Sequence, residues 1–277
     1  MAGMIFWKMQ GLGNDFIVID NRDRKIGDPE AAALAKELCE RRFSVGADGI
    51  LLLSDSTVAD ARMRIFNSDG SEAEMCGNGI RCFVKYCYEN NIVKKQELSV
   101  ETLAGVQQTW LTVEDGLVSS VRVDMGMPVL DRSAIPMLGS GTCLNEELQV
   151  NAEKYRVTCL SMGNPHCVIF VDHVKNFPVQ RVGSRIEGNG LFPKRTNVEF
   201  VQVLNRNEVN IRVWERGCGE TLACGTGACA AVAAGKLLNK LDSKVIVHLR
   251  GGDLQVDYSD HLCMSGPAEK VFEGRLF

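Results

Sequence analysis

Met75-Cys76-Gly77-Asn78-Gly79 recurs 148 residues later as Ala223-Cys224-Gly225-Thr226-Gly227, and these two stretches decide the fold. Each places a cysteine directly before Gly-x-Gly. Each is followed by a helical segment: Ile80, Phe83, Val84 and Cys87 keep helical spacing after the first, and the alanine-rich residues 228–238 follow the second. A thiol at a helix N-terminus meets unpaired backbone N–H groups and the positive end of the macrodipole, both of which favour negative charge. The pair therefore reads as two matched, activated thiols.

Working outward, the similarity extends over both halves of the chain at offsets of 148 to 150 residues. Gly13-Asn14-Asp15-Phe16 falls on Gly163-Asn164-Pro165-His166, Met63-Arg64-Ile65-Phe66-Asn67 on Ile211-Arg212-Val213-Trp214-Glu215, and Glu72 on Glu220. Such a long-period repeat points to duplication of one supersecondary unit. The expected fold is α+β: two pseudo-symmetric domains, each a mixed or antiparallel sheet wrapped around a central helix. The first domain, residues 1–121 with 266–277, carries Cys76, and the second, residues 122–265, carries Cys224. A pseudo-twofold axis would bring the two thiols to opposite sides of one cleft.

Strands are expected at 4–8, 16–20, 50–53 and 63–66, and β pattern again over 97–125. Asp28-Pro29 reads as N-cap and N1 of a helix ending near Cys39. After an irregular stretch over 128–145, strands are expected at 155–160, 167–171, 197–203 and 208–214, with a short helix over 178–187. Further strands flank a Gly251-Gly252 turn, and a short tail closes the chain.

The balance of 31 Lys and Arg against 35 Asp and Glu gives a net charge of -4, which argues against a nucleic-acid or anionic-membrane partner. The N-terminus lacks a basic n-region followed by a long apolar run, and the apolar residues 228–234 are too few to span a bilayer, so a cytoplasmic protein is expected. Eleven cysteines without a C-x-x-C, and four scattered histidines, predict neither a disulfide framework nor a zinc site. Most of these thiols read as small buried hydrophobes.

Two opposed thiols suit one kind of chemistry. Inverting a carbon stereocentre without redox change needs a proton removed from one face and another delivered to the opposite face, by a base and an acid that exchange roles in reverse. A thiolate–thiol pair can do this, and the N–H groups of Gly77-Asn78 and Gly225-Thr226 could hold the adjacent carboxylate as charge develops. The sequence thus points to a cofactor-free racemase or epimerase acting on an amino acid.

At these motifs the chain closely resembles the diaminopimelate epimerases. The resemblance runs through Lys8-Met9-Gln10-Gly11-Leu12-Gly13-Asn14-Asp15-Phe16, Phe66-Asn67-Ser68-Asp69-Gly70-Ser71, Cys76 to Cys82, Ser161-Met162-Gly163-Asn164-Pro165-His166-Cys167, and Glu215-Arg216-Gly217 to Gly227. It implies interconversion of L,L- and meso-2,6-diaminopimelate in lysine and peptidoglycan precursor synthesis, with no cofactor and no metal, in a homodimer. Carried over residue by residue, Cys76 and Cys224 are the catalytic thiols, and His166 and Glu215 influence their protonation. Asn14, Asn67, Gly77, Asn78, Asn164, Asn197, Glu215, Arg216, Gly225 and Thr226 contact the substrate. Gly49 departs from the glutamine that some members carry at this position, so no binding role is assigned to it. Proline racemases share the two-cysteine logic but not Asn67, Asn197 and Arg216, and phenazine-pathway relatives lack the paired thiols. A non-catalytic amino-acid-binding protein would not need both thiols.

Overall fold

The structure, a computed structural model, describes residues 3–276. The chain forms two compact units, Met1–Val123 with Ser265–Phe277, and Asp124–Met264. In the first run β1 (Ile5–Gly11), β2 (Asn14–Asp20), α1 (Asp28–Leu38), β3 (Gly49–Ser54), β4 (Ala61–Asn67) and β5 (Glu72–Ala73). Then come α2 (Gly77–Glu89), β6 (Glu97–Thr102), β7 (Gly105–Glu114) and β8 (Leu117–Asp124), in which the chain passes to the second unit. There it forms β9 (Cys143–Val150), β10 (Glu153–Ser161), β11 (Pro165–Phe170), α3 (Val179–Glu187), β12 (Asn197–Asn205) and β13 (Glu208–Glu215). Next are β14 (Gly219–Thr221), α4 (Gly225–Leu237), β15 (Lys244–Leu249), β16 (Gly252–Tyr258) and β17 (Leu262–Gly266), and β18 (Glu269–Arg275) completes the first unit.

The duplication holds pairing for pairing. In the first unit β1–β2 is antiparallel, β2–β3 parallel, β3–β4 and β4–β5 antiparallel, β4–β6 parallel and β6–β7 antiparallel. In the second, β10–β11, β11–β12, β12–β13, β13–β14, β13–β15 and β15–β16 repeat that series with the same polarities. Each unit is therefore a mixed sheet around a buried helix, α2 or α4. The strands that meet these helices also have their other face covered. In β3, Ile50 and Leu52 pack with α1, while Leu51 reaches α2 at Gly79. Burial on both faces explains the unbroken apolar run Ile50-Leu51-Leu52-Leu53.

A second mark of the duplication is an arginine–glutamate fork. Arg64 Nε and Nη2 donate to Glu72 Oε1 and Oε2 at 2.7 and 2.9 Å, and Arg212 makes the same two bonds to Glu220 at the same distances. Each fork ties the long strand, β4 or β13, to the short strand, β5 or β14, that leads into the thiol motif.

Three sequence expectations change. The N-cap of α1 is Gly27 rather than Asp28, and no side chain caps this helix end. Asp28 instead turns its carboxylate to Arg64. The closing tail is strand β18, antiparallel to β1, and the irregular stretch gives way to β9, antiparallel to β10. β18 and β9 hold equivalent places, since β1 and β10 are themselves equivalent. Both escaped the sequence reading because they carry charged, exposed patterns typical of a sheet edge.

Candidate active site

Both thiols are helix N-caps. Cys76 precedes α2 and Cys224 precedes α4, each in an extended conformation, with φ −142° and −125°. Each Sγ accepts the backbone N–H three residues on, from Gly79 or Gly227, at 3.4 Å. Neither helix has an acidic residue in its first turn, so the positive helix end is not neutralised from within. In the second motif the glycine is needed for close approach. A Cβ on Gly227 would lie 2.9 Å from Glu199 Oε1 and 3.3 Å from Cys224 Sγ.

In the first unit, Asn14 stands beside Cys76. Its Oδ1 is 3.5 Å from Cys76 Sγ and accepts from Asn78 Nδ2 at 3.2 Å, while its Nδ2 donates to Asp48 Oδ2 at 2.7 Å. The guanidinium of Arg81, wholly buried, donates to Gly77 O at 3.0 Å and Asn78 Oδ1 at 2.9 Å. Asn67 ends β4 opposite Gly49, the neighbour of Asp48, and its Nδ2 donates to Ser71 Oγ at 3.0 Å. Asp15 is held by Lys8 at 2.6 Å and Arg41 at 2.6 Å, which makes it structural.

The second unit gathers its residues into one chain of contacts. Cys224 Sγ lies 3.4 Å from Thr226 Oγ1, Asn164 Nδ2 donates to Thr226 Oγ1 at 3.3 Å, and Asn164 Oδ1 meets His166 Nε2 at 2.9 Å. His166 Nδ1 in turn lies 2.7 Å from Glu199 Oε1. Parallel pairing of β11 with β12 sets His166 against Asn197. The amide of Asn197 donates to Pro165 O and accepts the Arg216 backbone N–H, both at 2.9 Å, so it anchors the loop that carries Arg216. Glu215 accepts the Thr221 hydroxyl. Burial pushes the Cys224 thiol well above its ordinary range, the carboxylates of Glu215 and Glu199 push the same way, and Thr226 and the Gly227 N–H oppose them.

Asp48, Arg81 and Glu199 were not singled out from sequence. Glu199 had a signal, a carboxylate inside the otherwise apolar run Val198-Glu199-Phe200-Val201. Asp48 had none, because a surface-type Gly-x-Asp-Gly reads as a turn. Among the described residues, no group of three or more His, Cys, Asp or Glu is placed to hold a metal ion. No helix among them is long and apolar enough to cross a membrane.

Duplicated α+β units with a buried central helix define a fold shared with several solved structures. A Bacillus anthracis phenazine biosynthesis protein of the PhzF family superposes over all of both chains with TM-score 0.72 at 16% identity. A hydroxyproline epimerase from Agrobacterium vitis does so with TM-score 0.73 at 14% identity, over 100% of this chain and 91% of that one. Sequence narrows the class. The family model described as diaminopimelate epimerase matches residues 6–130 and 158–271. Diaminopimelate epimerases of Moorella thermoacetica and Methanococcus maripaludis are 55% and 47% identical, over 98% and 99% of both chains. The chain belongs to the diaminopimelate epimerase family, a family of amino-acid isomerases.

Proposed function

We propose that this protein interconverts L,L- and meso-2,6-diaminopimelate without a cofactor, by two-base proton transfer between the thiols of Cys76 and Cys224 and the α-carbon. The observation that carries the reading is the repeated cap: two cysteines at equivalent helix N-termini, each bonded to the N–H three residues on. One sulfur as thiolate removes the α-proton, and the other as thiol returns a proton to the opposite face. In the reverse direction the roles exchange. The N–H groups of Gly77, Asn78, Gly225 and Thr226, at the positive ends of α2 and α4, hold the α-carboxylate as negative charge spreads onto it.

Asn14, Asn67, Asn164, Asn197, Glu215 and Arg216 complete the substrate contacts. The guanidinium of Arg216 suits the distal carboxylate, and amide and acid oxygens suit the two ammonium groups. His166 and Glu215 set the protonation of the thiols. In this reading the protein works as a cytoplasmic homodimer in lysine and peptidoglycan precursor synthesis, without nucleic-acid or membrane partners.

The test is proton exchange. The purified protein, with no added cofactor, is incubated with L,L-diaminopimelate in deuterated water and followed by NMR and chiral chromatography. Deuterium enters the α-position and the meso isomer accumulates; a folded protein that does neither rejects the reading. Cys76→Ala and Cys224→Ala each abolish epimerisation, and full turnover in either variant rejects the two-base mechanism.

A further inference from the structure

The duplication makes the surroundings of the two thiols directly comparable, and they differ in charge. Position by position, His166 falls on Phe16, Glu199 on Leu51, Glu215 on Asn67, and Cys229 on Arg81. Under the first turn of α2, a Cβ on Gly79 would touch Leu51 Cδ2 at 3.4 Å and Phe16 Cζ at 3.5 Å. Under the same turn of α4, a Cβ on Gly227 would touch a carboxylate oxygen of Glu199. A buried cation therefore accompanies the Cys76 helix, and a buried carboxylate accompanies the Cys224 helix.

Glu199 is wholly buried, and its Oε2 has no hydrogen-bond partner among the described residues. A buried carboxylate oxygen left without a donor is costly, and strand packing alone would be served by leucine, as at position 51. Its other oxygen meets His166, also fully buried. Asn164 turns its oxygen to His166 Nε2 at 2.9 Å, and His166 Nδ1 faces Glu199 Oε1 at 2.7 Å. Burial raises the Glu199 carboxyl above its ordinary range, and His166 offsets only part of that rise.

Among the described residues, the other strands that make the main contacts with α4 turn uncharged side chains to it. β10 turns Thr158 and Leu160 to that face and β11 turns Val168 beside His166, while β12 adds Val201 and β16 Leu254 and Val256. The residues between them on β10, β11 and β12 point to the α3 core. Glu215, at the end of β13, is a further carboxylate that acts on Cys224.

We propose that Glu199 is a positioning residue that holds Cys224 in its thiol form in the resting protein, leaving Cys76, on the helix with Arg81, as the proton-accepting thiolate. This rests on the two-thiol reading above and deepens it: the duplicated site is made unequal by residues behind the reacting atoms. A carboxylate near the sulfur disfavours a second negative charge, whereas a guanidinium favours one. The division fixes which thiol is the base and which the acid at rest, a choice that two identical sites would leave open.

The test is peptide-resolved alkylation of the full chain by iodoacetamide as a function of pH, without substrate, on wild type, Glu199→Gln and Glu199→Leu. In wild type, the alkylation midpoint of Cys224 lies above that of Cys76; the opposite order overturns the proposal before any variant is made. In Glu199→Gln, which keeps the shape and a bond to His166, the Cys224 midpoint falls by about one pH unit, and that of Cys76 stays. Glu199→Leu, which copies the first unit, moves Cys224 the same way. A midpoint for Cys224 that stays, or that rises because Glu199 supports the thiolate through His166, Asn164 and Thr226, overturns the proposal. In active Glu199→Gln the alkaline limb of kcat/KM against pH also moves down, which a merely structural role would not cause. Alkylation needs no turnover, so an inactive protein with ordered midpoints rejects the epimerase reading alone.

Discussion

Asn14 and Asn164 occupy equivalent turns and present opposite ends of their amides to the two thiol helices. Asn14 offers Oδ1 to Cys76 Sγ and Asn78, whereas Asn164 gives Oδ1 to His166 and directs Nδ2 to Thr226. The difference has a local cause. Asp48 accepts from Asn14 Nδ2 at 2.7 Å, and the corresponding position in the second unit is Thr196.

Asp48 is thus the residue that orients Asn14, and its removal frees the amide to rotate. The side chain of Asp48 is 43% exposed, so Asp48→Ala leaves the core alone. Epimerisation by this variant falls roughly tenfold, the loss of about 1.4 kcal/mol expected for one charge-assisted hydrogen bond. Steady-state kinetics alongside circular dichroism checks this, and an unchanged rate would show that the orientation of Asn14 is set elsewhere.

Alanine at the two motif glycines separates the thiol sites in another way. At Gly79 an added Cβ meets only ordinary contacts, at 3.4 and 3.5 Å, and alanine favours a helix by up to about 1 kcal/mol. At Gly227 the same Cβ is pressed between Glu199 Oε1 and Cys224 Sγ. Gly227→Ala therefore loses most of its activity and melts lower than wild type, while Gly79→Ala melts within a few degrees of it. Equal melting temperatures for the two variants would contradict the asymmetry.

The repeat at 148 to 150 residues made the duplicated fold legible, because Cys-Gly-x-Gly, the arginine of each fork and its glutamate recur in fixed order. Helices α2 and α4 were legible for the same reason. The cap of α1 was misread because Asp28 has the right chemistry for capping but is drawn to Arg64, 36 residues away. Glu199 was missed because its partner, His166, arrives on a parallel neighbour 33 residues earlier, and local pattern cannot report such a register. Edge strands β9 and β18 were missed because their exposed, charged residues carry little hydrophobic alternation.

Asp15 supplies a pH dependence with a defined sign. Burial works to raise its carboxyl, but Arg41 and Lys8 outweigh that and hold it below the usual aspartate value. A carboxyl lowered on folding stabilises fully above its unfolded pKa of about 3.9 and loses that contribution as pH falls through the folded value. Asp15→Asn therefore lowers stability at neutral pH by about 3 kcal/mol, since it leaves the nearly buried Lys8 without its carboxylate. Urea unfolding in acid then shows a shallower decline with pH for the variant than for wild type; parallel curves would refute the linkage.

The two forks look alike, yet their outer contacts make one costlier to break. Beyond Glu220, Arg212 Nη1 donates to the carbonyls of Val174, Lys175 and Phe177 at 3.1, 3.0 and 2.9 Å. Those bonds hold the segment leading into α3. Beyond Glu72, Arg64 Nη1 donates to Asp28, whose side chain is 77% exposed and can return to water. The Arg64 guanidinium lies 4.9 Å over the Phe66 ring but reaches no backbone carbonyl among the described residues. Lysine keeps the charge but cannot fork onto a carboxylate while reaching three carbonyls. Arg212→Lys is thus expected to lose about 2 to 3 kcal/mol of stability and Arg64→Lys about 1 kcal/mol. Chemical denaturation of both variants decides it: the larger loss belongs to Arg212→Lys, and the reverse ranking would mean that the carbonyl contacts contribute nothing to holding α3.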